Sequence, residues 1–98
     1  MEIVILSGAE GDLDEIYRQI GERGGESVFL ALDRKLELLV TFPRLAPPRL
    51  QARVRRVKIG RTPFGLFYTI EGRRLMVVAV QDLRQDPGAL ARIIRARL

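Results

Sequence analysis

Apolar positions along the chain shift between strand-like and helix-like spacing, and each shift marks an element. Glu2–Leu6 (EIVIL) is a short apolar run that reads as a first strand. Leu13, Ile16, Tyr17 and Ile20 then recur at i, i+3, i+4 and i+7, one face of a helix. Ahead of them, Ser7-Gly8-Ala9-Glu10 has the spacing of a capping box, in which serine and glutamate satisfy orphan amides reciprocally. Glu10, Asp12, Asp14 and Glu15 fall in the first turns, where the helix dipole favours acids. They are expected to support the helix from its solvent side and not to form a metal cluster. Gly24-Gly25 ends this helix, and Phe29, Leu32, Leu36 and Leu39 carry a second stripe from about Ser27 to Thr41. Two stripes joined by a short turn predict a helical hairpin laid on a sheet.

Phe42–Pro48 (FPRLAPP) cannot continue a helix and reads as a rigid crossover. Strand alternation follows. In Arg53–Ile59, Arg55, Val57 and Ile59 point one way and Val54, Arg56 and Lys58 the other. Val57 and Ile59 should face the helices, which leaves Arg56 and Lys58 together on the opposite face. Phe64, Leu66, Tyr68 and Ile70 alternate with Gly65, Phe67 and Thr69, so Tyr68 is expected in the core, as is Tyr17 on the first helix. Gly65 suits close packing and Gly72 a turn. Glu71-Gly72-Arg73-Arg74 closes a hairpin into Leu75–Val80, apolar on both faces and therefore central. Asp86 as N-cap and Pro87 at the first helical position open a last helix carrying Leu90, Ile93, Ile94 and Leu98. The order β-α-α-β-β-β-α predicts an α+β fold, a helical hairpin packed on a largely antiparallel four-stranded sheet, in one domain over residues 1–98.

Charge changes the picture more than composition does. Residues 1–41 hold nine acids and four bases, whereas residues 42–98 hold three acids and thirteen bases. The balances of −5 and +10 make up the net +5, and the second points to an acidic or polyanionic partner. A solvated surface with compensating acids folded nearby is the plainer reading. The chain has no cysteine and no histidine, which excludes disulfides, thiolate metal sites and the commonest general acid/base. No apolar run approaches the roughly 20 residues of a membrane span. The cytoplasm is the expected compartment, and neither a cofactor nor a metal is called for.

The order and spacing of EIVILSGAEGDLDEIYRQI, LELLVTFPRL, FGLFYTIEGRRLMVVAV and DLRQDP resemble the RelE/ParE superfamily of toxins from bacterial type II toxin–antitoxin modules, nearly end to end. The resemblance implies the fold just derived and a protein partner, the cognate antitoxin, whose flexible segment wraps the toxin. It leaves two targets open. RelE-like members cut mRNA in the ribosome, and ParE-like members block DNA gyrase.

Arg56 and Lys58 stand where RelE-like members carry alternating basic residues, and their spacing would let a phosphate bridge them. Arg61 and Arg84 complete the set that a ribonuclease would use here. The chain departs at Gly65, where those enzymes resemble it but carry arginine, and Asp86–Leu98 has no tyrosine or histidine. Leu83-Arg84-Gln85-Asp86-Pro87 resembles the ParE-like C-terminal signature, although Gln81-Asp82 stand where histidine often precedes it. A ParE-like toxin of a plasmid-stabilisation module that inhibits gyrase by protein contacts is therefore the leading expectation. A ribosome-dependent endoribonuclease and a non-toxic corepressor with the toxin fold are the alternatives. Arg53, Arg56, Lys58, Arg61, Arg73 and Arg84 are expected to bind antitoxin or target.

Overall fold

The computed structural model describes residues 1–49 and 53–98. Its elements are β1 (Glu2–Ile5), α1 (Ser7–Thr41), β2 (Arg55–Lys58), β3 (Phe64–Glu71), β4 (Arg74–Asp82) and α2 (Pro87–Arg97). The sheet runs β1-β4-β3-β2, with β1 parallel to β4 and the other two pairs antiparallel. The expected α+β architecture is present, with β4 in the interior of the sheet.

A continuous helix of α1's 35 residues would be about 52 Å long, yet the longest extent of the molecule is 35 Å. The chain folds back at Gly21 (φ 78°, ψ 177°), a conformation cheap only for glycine. The Tyr17 and Phe29 rings consequently stack with centroids 5.7 Å apart, where an unbroken helix would separate them by about 18 Å. The break thus falls at Gly21 and not at Gly24-Gly25. Gly25 serves the packing instead, because a Cβ there would run into the Tyr17 ring and hold the two helical segments apart. Tyr17 itself is 36% exposed and Ile20 41% exposed, so Tyr17 is a lid on the hairpin and not a core residue. The buried stripe comprises Ile16, Val28, Leu32, Leu36 and Leu39.

The capping box at Ser7 does not form. Leu6 is the N-cap, extended and without a side-chain cap, because its N–H still serves the sheet by donating to Val77 O at 3.0 Å. At the other end of the chain, Asp86 accepts from the Ala89 amide at 3.0 Å, with Pro87 next to it opening α2. Leu90 and Ile94 are buried, whereas Leu98 is exposed, so α2's apolar stripe is narrower than its sequence suggests.

Two cores lie on the two sheet faces. Beneath α1 sit Val57, Ile59, Phe64, Leu66, Tyr68, Leu75, Val77 and Val80. On the opposite face, Val54, Phe67 and Ala79 pack with Leu90 and Ile94 of α2. This second cluster explains why β4 is apolar on both sides. The register passes from Phe67↔Ala79 to Tyr68↔Val77, leaving Val78 as a bulge that resets which β4 residues face which helix.

The edge of β4 is finished by side chains. Residue Val77 is the last to meet the β1 side, and beyond it Asp12 takes over. Asp12 accepts from Val80 N–H at 2.9 Å and from Gln81 Nε2 at 2.8 Å. Arg97 clamps the same carboxylate at 2.6 and 2.8 Å and donates to the bulged Val78 carbonyl at 3.1 Å. Asp12 therefore points inward, with 9% of its side chain exposed, and not to solvent as the acidic first turns suggested. A Cβ on Gly8 would stand 2.9 Å from the Arg97 side chain, so Gly8 leaves the passage for that clamp.

Tyr68 is fully buried and donates its hydroxyl to Pro43 O at 2.7 Å, tying the crossover to the sheet. Tyr68→Phe should lower the unfolding free energy by about 1 kcal/mol by leaving that carbonyl unmet. Burial raises the phenol pKa above its ordinary 10.0, with a backbone hydrogen bond and Arg55's charge offsetting part of the rise. Because the folded value is the higher one, this contribution is complete below about pH 10 and is lost as pH climbs through the folded pKa. In urea melts, the gap between wild type and Tyr68→Phe should narrow above about pH 10. A gap independent of pH would contradict the assignment.

Candidate functional site

β2 pairs with β3 in the register Arg56↔Phe67 and Lys58↔Gly65, which fixes where its cations go. Val57 and Ile59 enter the core under α1, and Val54 enters the core under α2. Arg56 and Lys58 accordingly share the face turned away from α1, as their alternation implied. Arg55 lies on the other side, where its guanidinium donates to Ala46 O.

That second face is not open throughout. The packing of α2 on Phe67 and Ala79 covers part of it, so the face that carries Arg56 and Lys58 is only partly available to a partner. What remains is a cleft of about 210 Å³ lined by Arg49, Val54, Arg56, Phe67, Leu83, Pro87 and Leu90. Its floor is apolar, and two arginines stand at its wall. Arg49 was missed in the sequence because it sits in an irregular segment, brought beside β2 by its amide bond to Val54 O.

A shallower hollow adjoins along the shared Leu83, lined by Lys58, Arg61, Thr62, Pro63 and Arg84. Arg84 is already engaged, however. Its guanidinium contacts the Asp82 carboxylate at 2.7 and 3.0 Å, and its amide donates to the same group at 2.8 Å. This contact holds the Asp82 carboxyl below its ordinary value.

The six anticipated cations do not converge. Arg56, Lys58, Arg61 and Arg84 gather around Leu83. Arg53 instead pairs with Glu71 at 3.1 Å, beside the Gly72 turn that carries Arg73. The Gly72 turn lies about a strand's length, roughly 25 Å, from the Lys58 and Arg61 end, with Arg56 between the two.

Acid/base groups are scarce at this surface. Tyr68 lies in the other core, and Tyr17 lies on the hairpin against Phe29. At position 65 a Cβ would meet Leu83 Cδ2 at 2.5 Å, so the place of the missing arginine is roofed by another side chain. Among the described residues, no three acidic side chains come together to hold a metal ion. Among the described residues, no helix is long and apolar enough to cross a membrane.

The comparison with known proteins agrees with this architecture. A solved structure described as the chromosomal ParDE TA system from P. aeruginosa superposes with a TM-score of 0.71 at 20% identity, covering 84% of this chain and 95% of that one. Among curated proteins none matches. The family model for the ParE toxin of type II toxin-antitoxin system, parDE, matches residues 3–87. An α+β sheet with this strand order, a helical hairpin on one face and a match of that length together place the chain in the ParE toxin family.

Proposed function

We propose that the chain is a gyrase-directed toxin that acts by binding and is neutralised by a cognate antitoxin. Family membership over residues 3–87 carries the reading. The chemistry of the cationic surface supports it. Cleavage of RNA by its own 2′-hydroxyl needs a base and an acid for the leaving oxygen. The hollow around Lys58, Arg61 and Arg84 is lined by cations, a threonine, a proline and a leucine, with no histidine or tyrosine, and the neighbouring Asp82 carboxylate is engaged by Arg84.

The antitoxin is a protein with an acidic, amphipathic segment. The cleft beside Arg56 offers apolar Val54, Phe67, Leu83 and Leu90 to such a segment and guanidinium groups to its acids. Arg61 and Arg73 extend the charge beyond the cleft, whereas that of Arg53 is met by Glu71. Binding should weaken on charge reversal at Arg56 and Arg61.

Induction of the chain alone in bacteria separates the targets. Gyrase poisoning should produce double-strand breaks and the SOS response while translated mRNA stays whole, and the purified protein should convert plasmid to broken DNA only when gyrase is present. Cleaved mRNA in a translating extract would move the assignment to the ribosome. Harmless expression without antitoxin would sink both and leave a corepressor.

A further inference from the structure

The two ends of the sheet treat their cations differently. At the Gly72 end, Arg53 pairs with Glu71 and Arg74 with Glu2, each at 3.1 Å, which leaves Arg73 as the unmatched cation there among the described residues. At the Arg61 end only Arg84 is matched among them, by Asp82. Arg61 lines two hollows, one with Lys58 and a second with Arg34, Lys35, Ala31, Leu38 and Gly60. Arg34, Lys35, Lys58 and Arg61 form no ion pair among the described residues, and no acidic residue lines either hollow. Asp33 and Glu37 belong to the same helical segment as Arg34 but line neither hollow, and both are exposed.

Because Arg61 belongs to both hollows, the four cations form one track from α1 across the β2–β3 turn onto β2. We infer that this track holds the phosphodiester backbone of a nucleic acid without reading its bases. Its shape favours that partner over an acidic peptide. A peptide gains affinity by burying apolar side chains, and the place for that is the Arg56 cleft, where five of the seven lining residues are apolar. The track instead presents charge at an open surface, two cations on the helix and two on the strand and turn, which suits a repeating line of phosphates. Arg84 is left out because Asp82 answers its charge. The inference is independent of gyrase, since the contact is measured without it.

Fluorescence anisotropy with a short labelled duplex DNA and a single-stranded RNA of equal charge tests the track on the full chain. Dissociation constants in the range of about 10⁻⁴ to 10⁻⁶ M near physiological salt are expected. Replacing Lys58 and Arg61 together by alanine should weaken binding about tenfold or more and reduce the log–log salt slope by about 2. Arg34→Ala with Lys35→Ala should do the same. Arg23→Ala with Arg92→Ala removes equal charge away from the track and should change little. All these side chains except that of Lys35, which is half-buried, are on exposed residues, and unchanged circular dichroism and melting will show that the variants are folded. Whichever probe binds more tightly names the source of the phosphates. Equal losses from on-track and off-track variants would reduce the effect to net charge and overturn the inference. So would absence of binding at low salt, or tighter binding of a glutamate-rich peptide than of either nucleic acid. Any of these results would refute the track and leave the toxin reading standing, because gyrase poisoning by the wild-type chain is measured separately.

Discussion

Asp12→Ala should lower the unfolding free energy by about 3–5 kcal/mol, the range for removing one partner of a buried ion pair. The carboxylate accepts four hydrogen bonds from three residues: the Val80 amide, the Gln81 side chain and both terminal nitrogens of Arg97. Alanine would leave the Val80 N–H and the Arg97 guanidinium without that acceptor where β1 no longer covers β4. Against a total stability of about 5–15 kcal/mol, such a loss is a large fraction. For a domain of this size it corresponds to a fall in melting temperature of roughly 4–8 °C per kcal/mol. Arg97→Met should cost less, because Asp12 then keeps the Val80 and Gln81 donors and the methionine stem still passes over Gly8. A double-mutant cycle between Asp12→Ala and Arg97→Met, followed by urea denaturation, should return a coupling of about 1–3 kcal/mol. Additive losses would mean that the two side chains act separately, and the picture of a joint clamp would fall.

This clamp also marks where sequence reading stops. Periodicity made the strands, the second helical stripe and the Asp86-Pro87 helix start legible, because each depends on neighbours within a few residues. Asp12 is different. On the chain it is one acid among four near a helix start, and only the end of β1 at Ile5 and the bulge at Val78 create the unmet backbone groups that draw it inward. The break at Gly21 was hidden for a related reason. Gly21, Gly24 and Gly25 look interchangeable until the Tyr17 ring is seen to need the room at Gly25. Likewise the failed capping box was decided by tertiary structure, since Leu6 is held in the ladder by Val77.

The candidate site was legible to the same depth. Strand alternation put Arg56 and Lys58 on one face, and the turn put Arg61 nearby. It could not show that Asp82 engages Arg84, that Leu83 roofs Gly65, or that Arg34 and Lys35 reach the turn from a helix far away in sequence. These are long-range meetings, and residue spacing carries no record of them.

Phe67→Ala should lower stability by about 3–5 kcal/mol, and its loss should appear first in α2. Phe67 is 2% exposed and sits among Val54, Ala79, Leu90 and Ile94, the cluster by which α2 holds the sheet. The core beneath α1 is formed by other residues and does not include it. Removing the ring therefore leaves a cavity under an 11-residue helix, a length that is marginal in water without packing. Alanine at Leu66, whose side chain faces α1, should lower global stability without this preference for α2. Native-state hydrogen exchange is the measurement that separates them. In Phe67→Ala the amides of α2 should lose protection well before those of β3 and β4, because a helix held by one small cluster can open on its own. The Arg56 cleft shares Phe67 and Leu90 with that cluster, so antitoxin affinity should fall along with α2's protection. Uniform loss of protection across all elements would show that the two cores unfold as one unit and that α2 has no separate opening. Intact antitoxin binding in the same variant would move the partner's seat away from the cleft.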